Sequence, residues 1–167
     1  LFEYDSQNRL KKITAPDGTS TQTFEYNRLN KLTKVTDFEG KQTIYEYDHI
    51  GRRTRVTDGV DSVWYTFNSH SEMTKVKDGN NHEWDYYYDG VGRVTTVIDD
   101  ESNMTKYEYD SQGRLKKTGG GPLFSWTDPT EYFYSSTTGL LTEVKYTSGS
   151  NTKSAYYYYD GAARVTK

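Results

Sequence analysis

His49, His70 and His82 are the only imidazoles in the chain and, with no cysteine beside them, the first candidates for metal binding or proton transfer. Either task needs donors that converge from fixed elements. The three sit in or beside turn-like segments (YDHIGR, FNSHSE, GNNHEW) whose spacing brings no such convergence, and they read as solvent-exposed. The 24 acidic side chains raise a second chemistry, a carboxyl pair flanking a glycosidic bond. Most of the aspartates, however, recur at one fixed place in a repeating pattern, which turn chemistry explains better than catalysis. Gly119-Gly120-Gly121-Pro122 is glycine-rich, but no Lys-Ser/Thr pair follows it on a helix, so it is no phosphate loop. The absence of Cys removes thiolate zinc sites, disulfides and thiol nucleophiles and is neutral about redox compartment. The expectation is a chain with no catalytic residue, no metal and no cofactor.

The recurring pattern is the main signal. FEYDSQNRLKK at Phe2 returns as FEYNRLNKLTKV at Phe24, YEYDHIGRRTRV at Tyr45, YYYDGVGRVTTV at Tyr86 and YEYDSQGRLKK at Tyr107. Asp5, Asn27, Asp48, Asn68, Asp89 and Asp110 are equivalent, spaced by 22, 21, 20, 21 and 21 residues. A copy from Tyr132, YFYSSTTGLLTEV, fits only with a slipped residue, and a last copy starts at Tyr157. About eight copies, starting near residues 2, 24, 45, 65, 86, 107, 132 and 157, make residues 1–167 one array, with 119–130 read as an inserted loop.

Each copy carries two turn signals. In the first, Asp or Asn is followed three residues later by Gly, Asn or a small residue, as in Asp48/Gly51, Asp89/Gly92 and Asp110/Gly113. The second lies ten residues on, as in Asp37/Gly40, with Gly18, Asp61 and Asn81 at the matching closing position. Asp or Asn opens such a turn by accepting backbone hydrogen bonds, and Gly or Asn tolerates the left-handed backbone that closes it. Two turns per copy leave two strands of ordinary length, so each copy is a β-hairpin.

Across the first turn, Asp5 should face Arg9, Asp48 Arg52, Asp89 Arg93 and Asp110 Arg114, with Asn27 opposite Lys31; Asp160 and Arg164 belong to the same repeated motif. Asn68 opposite Glu72 breaks the rule and marks a weaker hairpin. Aromatics stand one and three residues before the turn residue: Phe2/Tyr4, Phe24/Tyr26, Tyr45/Tyr47, Tyr65/Phe67, Tyr86/Tyr88, Tyr107/Tyr109 and Tyr157/Tyr159. Spacing by two puts both on one face. The inner aromatic should oppose Leu10, Leu32, Met73, Val94, Leu115 or Val165, and in one copy Arg53, for which the pattern offers no reason. The outer aromatic should oppose a long cation, Lys12, Lys34, Arg55, Lys75 or Lys117. Val35, Val56, Val76 and Val97 lie three residues past the inner partner, so either a bulge intervenes or the second face is partly buried.

Leu, Ile, Val and Phe together number only 28, about 17% of 167 residues, which by itself borders on disorder. The net charge of −3, the 17 Tyr and the 23 Thr, all strand formers in register, point instead to an ordered all-β chain. No basic stripe suggests nucleic acid, and no apolar run is long enough to span a bilayer as a helix. A lone hairpin is marginal in water, whereas hairpins side by side shield one another's aromatics. The fold expected is therefore a curved antiparallel sheet of tandem hairpins.

The pairs Tyr4-Asp5, Tyr47-Asp48, Tyr88-Asp89, Tyr109-Asp110 and Tyr159-Asp160, and the fuller YxYDxxGR at Tyr45–Arg52, Tyr86–Arg93 and Tyr107–Arg114, resemble the YD-repeat (Rhs) family. The likeness covers essentially the whole chain. It implies a segment of a hollow β-shell, as in bacterial Rhs toxins, wall-associated proteins, toxin-complex cocoons and teneurins. The implied role is a secreted or cell-surface container wall around a polypeptide cargo, not a catalyst. Toxin-bearing relatives end their shell with a self-cleaving segment; Asp128-Pro129 stands alone here, so self-cleavage is not expected. A rival reading is a carbohydrate-binding surface that uses the aromatic rows or Phe124 and Trp126 in the inserted loop. Partners expected are further repeats, or self-association through sheet edges.

Overall fold

A computed structural model of the chain describes residues 1–122 and 127–166. It contains fifteen β-strands and, among the described residues, no helix. The chain divides into two compact units, Leu1–Glu83 and Trp84–Lys167. The first unit carries β1 (Phe2–Tyr4), β2 (Leu10–Thr14), β3 (Thr21–Tyr26), β4 (Leu32–Thr36), β5 (Gln42–Tyr47), β6 (Arg53–Asp58), β7 (Asp61–Phe67) and β8 (Met73–Lys77). The second, with its first strand starting at the boundary, carries β9 (Glu83–Tyr88), β10 (Val94–Ile98), β11 (Asn103–Tyr109), β12 (Leu115–Pro122), β13 (Thr127–Tyr134), β14 (Leu141–Ser148) and β15 (Asn151–Tyr156). Within each unit every strand pairs antiparallel with the next in sequence, an unbroken meander.

The register confirms the inner pairing: Tyr4 faces Leu10, Tyr26 Leu32, Tyr47 Arg53, Phe67 Met73, Tyr88 Val94 and Tyr109 Leu115. The outer pairing is corrected. Phe2 faces Ile13, Phe24 Val35, Tyr45 Val56, Tyr65 Val76 and Tyr86 Val97, not the long cations. The cause is a bulge at the same place in each hairpin, where Lys11, Thr33, Thr54, Thr74 or Thr95 is an extra residue on the returning strand. One extra residue flips the remainder of that strand to the other face, so the valines join the aromatics. The cations then face the residue between the two aromatics: Lys12 faces Glu3, Lys34 Glu25 and Arg55 Glu46, with ion pairs at 3.2, 3.5 and 3.2 Å. In the first three hairpins, Arg53 apart, one face is therefore aromatic and aliphatic and the other charged.

The turn chemistry shows in the backbone. Gly51, Gly92 and Gly113 close their turns at φ of 88, 82 and 81°. Asn8, Asn30, Ser71 and Ala163 do the same job at 58–66°. In the second turn set, Asp61 does not close a turn. It opens β7 opposite Asp58, and Gly59, at φ 65°, makes a two-residue turn. That shortened turn accounts for the spacing of 20 between Asp48 and Asn68. In the Tyr132 copy the slip is also in the turn: the Ser135 N–H bonds the Leu140 carbonyl, five residues on, where the Asp turns span four.

The expected loop at 119–130 is corrected as well. Gly119–Pro122 lie in β12 and Thr127–Thr130 in β13, so much of the insertion lengthens two strands. Glycine is required where β12 meets β11: a Cβ on Gly120 would sit 2.7 Å from the Met104 carbonyl oxygen. Backbone cannot yield as a side-chain tip can, so Gly120→Ala is expected to destabilise by about 1–3 kcal/mol. Gly161→Ala, where nothing lies within 4 Å, is expected to stay within about 0.5 kcal/mol. Urea midpoints of the two variants check the contrast.

Neither unit has a conventional core. Met104 and Ser62 are the only buried side chains among the described residues, each 5% exposed. The chain exposes 11291 Å², against about 8,500 Å² for a compact monomer of 19.3 kDa. Among the described residues the rings of the aromatic pairs are half-buried or exposed, none fully covered. Stability must come from the joints between adjacent hairpins.

Candidate functional site

The joint is built from three repeated side chains. Asp48 is typical. Its Oδ1 accepts the backbone N–H groups of Ile50 at 3.1 Å and Arg52 at 2.9 Å, and its Oδ2 accepts Arg52 Nε at 2.6 Å. Asp5, Asp89, Asp110 and Asp160 repeat this with Arg9, Arg93, Arg114 and Arg164. One carboxylate thus fixes both the turn backbone and the direction of a guanidinium.

The oriented arginine reaches forward. Arg52 Nη1 donates to the Asn68 carbonyl at 2.9 Å, Arg9 Nη1 to the Asn27 carbonyl at 3.2 Å, and Arg114 Nη1 to the Gly139 carbonyl at 3.2 Å. The same guanidiniums stack over the inner aromatic of the following hairpin. Arg9 lies 4.7 Å from the Tyr26 ring, Arg52 4.8 Å from Phe67, Arg93 4.6 Å from Tyr109 and Arg114 4.3 Å from Tyr134. A planar guanidinium performs both tasks at once, which a lysine ammonium cannot.

The tyrosine reaches back. The hydroxyls of Tyr26, Tyr47, Tyr109 and Tyr134 donate to the carbonyls of Leu10, Leu32, Val94 and Leu115 at 2.9, 2.7, 2.9 and 2.8 Å. Each acceptor opens the returning strand of the preceding hairpin. A Tyr-Asp-Arg set is therefore a staple: Asp holds Arg, Arg grips the next hairpin, and that hairpin's Tyr grips back. Tyr47→Phe leaves the ring and removes only the hydroxyl, with an expected loss of about 0.5–1.5 kcal/mol in thermal unfolding. Tyr45→Phe, at the outer position, is expected to be neutral within about 0.5 kcal/mol.

Charge follows geometry. The Arg9 backbone N–H is the chief cause holding the Asp5 carboxyl below its usual range, opposed by desolvation and aided by the Arg9 side chain. Asp89 and Asp160 are lowered chiefly by the backbone N–H groups of Arg93 and Arg164. At Asp48 and Asp110 desolvation is the largest influence and pushes upward, but the bonds from Arg52 and Ile50, and from Arg114 and Gln112, with the charge of each arginine, together outweigh it. Asp17 is lowered to about 2, led by the Ser20 hydroxyl. Burial raises the Tyr134 hydroxyl.

The other sequence candidates fall elsewhere. Asn68, expected to weaken its hairpin, keeps the turn bonds and donates Nδ2 to Glu72 Oε2 at 2.6 Å, so the pair is reversed rather than repulsive. His82 Nδ1 lies 2.9 Å from Asp78 Oδ2, taking the arginine's place in a second-set turn, while His49 and His70 are exposed. Among the described residues no three His, Cys, Asp or Glu side chains are grouped to hold a metal. Phe124 and Trp126 lie outside the described residues. The forward reach of Arg and the backward reach of Tyr were not read from the sequence, nor was Tyr134; the fixed period was the only signal of a contact between copies.

The comparisons with known proteins agree with this geometry. The family described as RHS Repeat matches residues 4–42, and that described as Teneurin YD-shell matches residues 33–167. No curated protein matches the chain. Among solved structures, TcdB2-TccC3-Cdc42 is similar at TM-score 0.76 and 17% identity, over 99% of this chain and 10% of that one. TcdB2-TccC3 is similar at 0.73 and 16%, over 95% and 10%. A Photorhabdus luminescens Tc holotoxin pore is similar at 0.72 and 17%, over 96% and 9%. The chain thus spans about a tenth of these structures' length, and at such identity the likeness is one of fold. With the family match running over residues 33–167 and the staple repeated along the strands, the chain belongs to the YD-shell family of Rhs-type repeats.

Proposed function

We propose that the chain is a non-enzymatic wall segment of a secreted or cell-surface bacterial protein, whose shell encloses or presents a polypeptide cargo. The observation that carries this reading is a single-layer sheet whose turn carboxylates are spent on joining one hairpin to the next. A barrier needs continuity along the sheet and no second layer; a catalyst needs acid and base groups left available in a cleft. The exposed strand β15, Asn151–Tyr156, offers backbone to a further strand, from more repeats or another copy. No observation favours the carbohydrate-binding alternative. The test is protease protection in the longest natural polypeptide that carries these repeats. A segment outside the repeats should resist cleavage until the staples are broken by combining Asp48→Ala with Asp110→Ala. Equal cleavage with intact and broken staples would refute the container.

A further inference from the structure

Two departures from the repeat meet at one place in the first unit. In five turns an Asp holds an Arg, but Asn27 is neutral, so Lys31 has no carboxylate in its own turn. Its stem extends toward the next turn, where a Cβ on Gly51 would sit 3.2 Å from Lys31 Cε. The second departure is Arg53. Other hairpins set Leu10, Leu32, Met73, Val94 or Leu115 against the inner aromatic, whereas here a guanidinium stands on the aromatic face opposite Tyr47. Arg53 is exposed and lies 4.9 Å from the Tyr45 ring. Among the described residues neither Arg53 nor Lys31 has a carboxylate within ion-pairing distance.

Both cations line one cleft of about 500 Å³ with Tyr47, Gly51, Tyr65 and Phe67. Two unpaired cations over aromatic walls favour an anion on an apolar stem. A neutral sugar hydroxyl brings a proton of its own beside its lone pairs, so it matches two cationic donors less fully than a carboxylate does, and the Tyr47 hydroxyl spends its proton on the Leu32 carbonyl. Lys31 and Arg53 offer donors only. We infer that this cleft binds the carboxylate side chain of an acidic polypeptide segment lying on the aromatic face. The inference rests on the reading of the wall as one that faces a polypeptide.

The test titrates a labelled peptide of alternating Glu and Tyr into the whole chain by fluorescence anisotropy. Its Gln-for-Glu counterpart and an oligoglucuronate are run beside it. Binding by the Glu peptide is expected to weaken at least about tenfold with the Gln peptide and with Arg53→Leu or Lys31→Gln. Arg53→Leu installs the side chain that Leu10, Leu32 and Leu115 supply elsewhere, so its circular dichroism should be unchanged; should it fail to fold, Lys31→Gln decides. Equal binding by wild type and variants, equal binding of the Glu and Gln peptides, or preference for the oligoglucuronate would each overturn the inference. Protease protection that persists while the peptide fails to bind would sink the cleft and leave the wall standing.

Discussion

Acid is expected to unfold this chain through its turns, and more completely than any single substitution. The carboxyls of Asp5, Asp48, Asp89, Asp110 and Asp160 are all held below their ordinary range, as are those of Asp17, Asp78, Asp99 and Glu83. A carboxyl lowered in the folded state contributes stability that is complete above its unfolded value, about 3.9 for Asp, and lost as pH falls through the folded value. The window therefore runs from about pH 4–5 downward, reaching about 2 for Asp17. Protonating an Asp releases its Arg, and the freed Arg no longer directs its grip on the next hairpin. Because staples of one kind titrate together, the loss adds along the array. The urea midpoint, followed by far-UV circular dichroism, should be level from pH 7 to 5 and fall steeply below pH 4. Asp48→Asn, which copies the neutral residue found at Asn27, should flatten part of that fall. A midpoint unchanged from pH 5 to 2 would show that the turn carboxylates do not hold the hairpins.

Much of this fold was legible because its determinants are local. Asp48 and Gly51 define a turn within four residues, and the alternation Tyr45-Glu46-Tyr47 assigns faces with no reference to the rest of the chain. The inner pairs followed from those turns. The outer pairs did not, since Lys11, Thr33 and Thr54 carry no chemical mark of a bulge residue; only the misplaced valines betrayed it. The staples between hairpins were illegible for a different reason. A period near 21 says that copies are adjacent, but the partner of the Tyr47 hydroxyl depends on how far the ring extends over the previous strand. Arg53 was visible as an exception, but that it lines one cleft with Lys31 was not.

The largest single-site loss is expected from removing an inner ring flanked by hairpins on both sides. Tyr109 is the test case. Its ring carries Arg93 on its face at 4.6 Å, its hydroxyl holds the Val94 carbonyl at 2.9 Å, and it pairs with Leu115 across its own hairpin. Tyr109→Ala removes all three contacts and leaves the Val94 carbonyl without its donor. A fully buried ring would cost about 3–5 kcal/mol, and the half-buried state of this one brings the expectation to about 2–4 kcal/mol. Tyr109→Phe should recover most of that, because the ring and its guanidinium remain. Tyr4 has the same sequence context but is 58% exposed, so Tyr4→Ala should cost well under half as much. Amide exchange should show protection lost on both β9–β10 and β11–β12 in Tyr109→Ala, since one side chain secures two hairpins. If Tyr4→Ala and Tyr109→Ala proved equally mild, ring burial within each hairpin, not the staple between hairpins, would be what makes these repeats a wall.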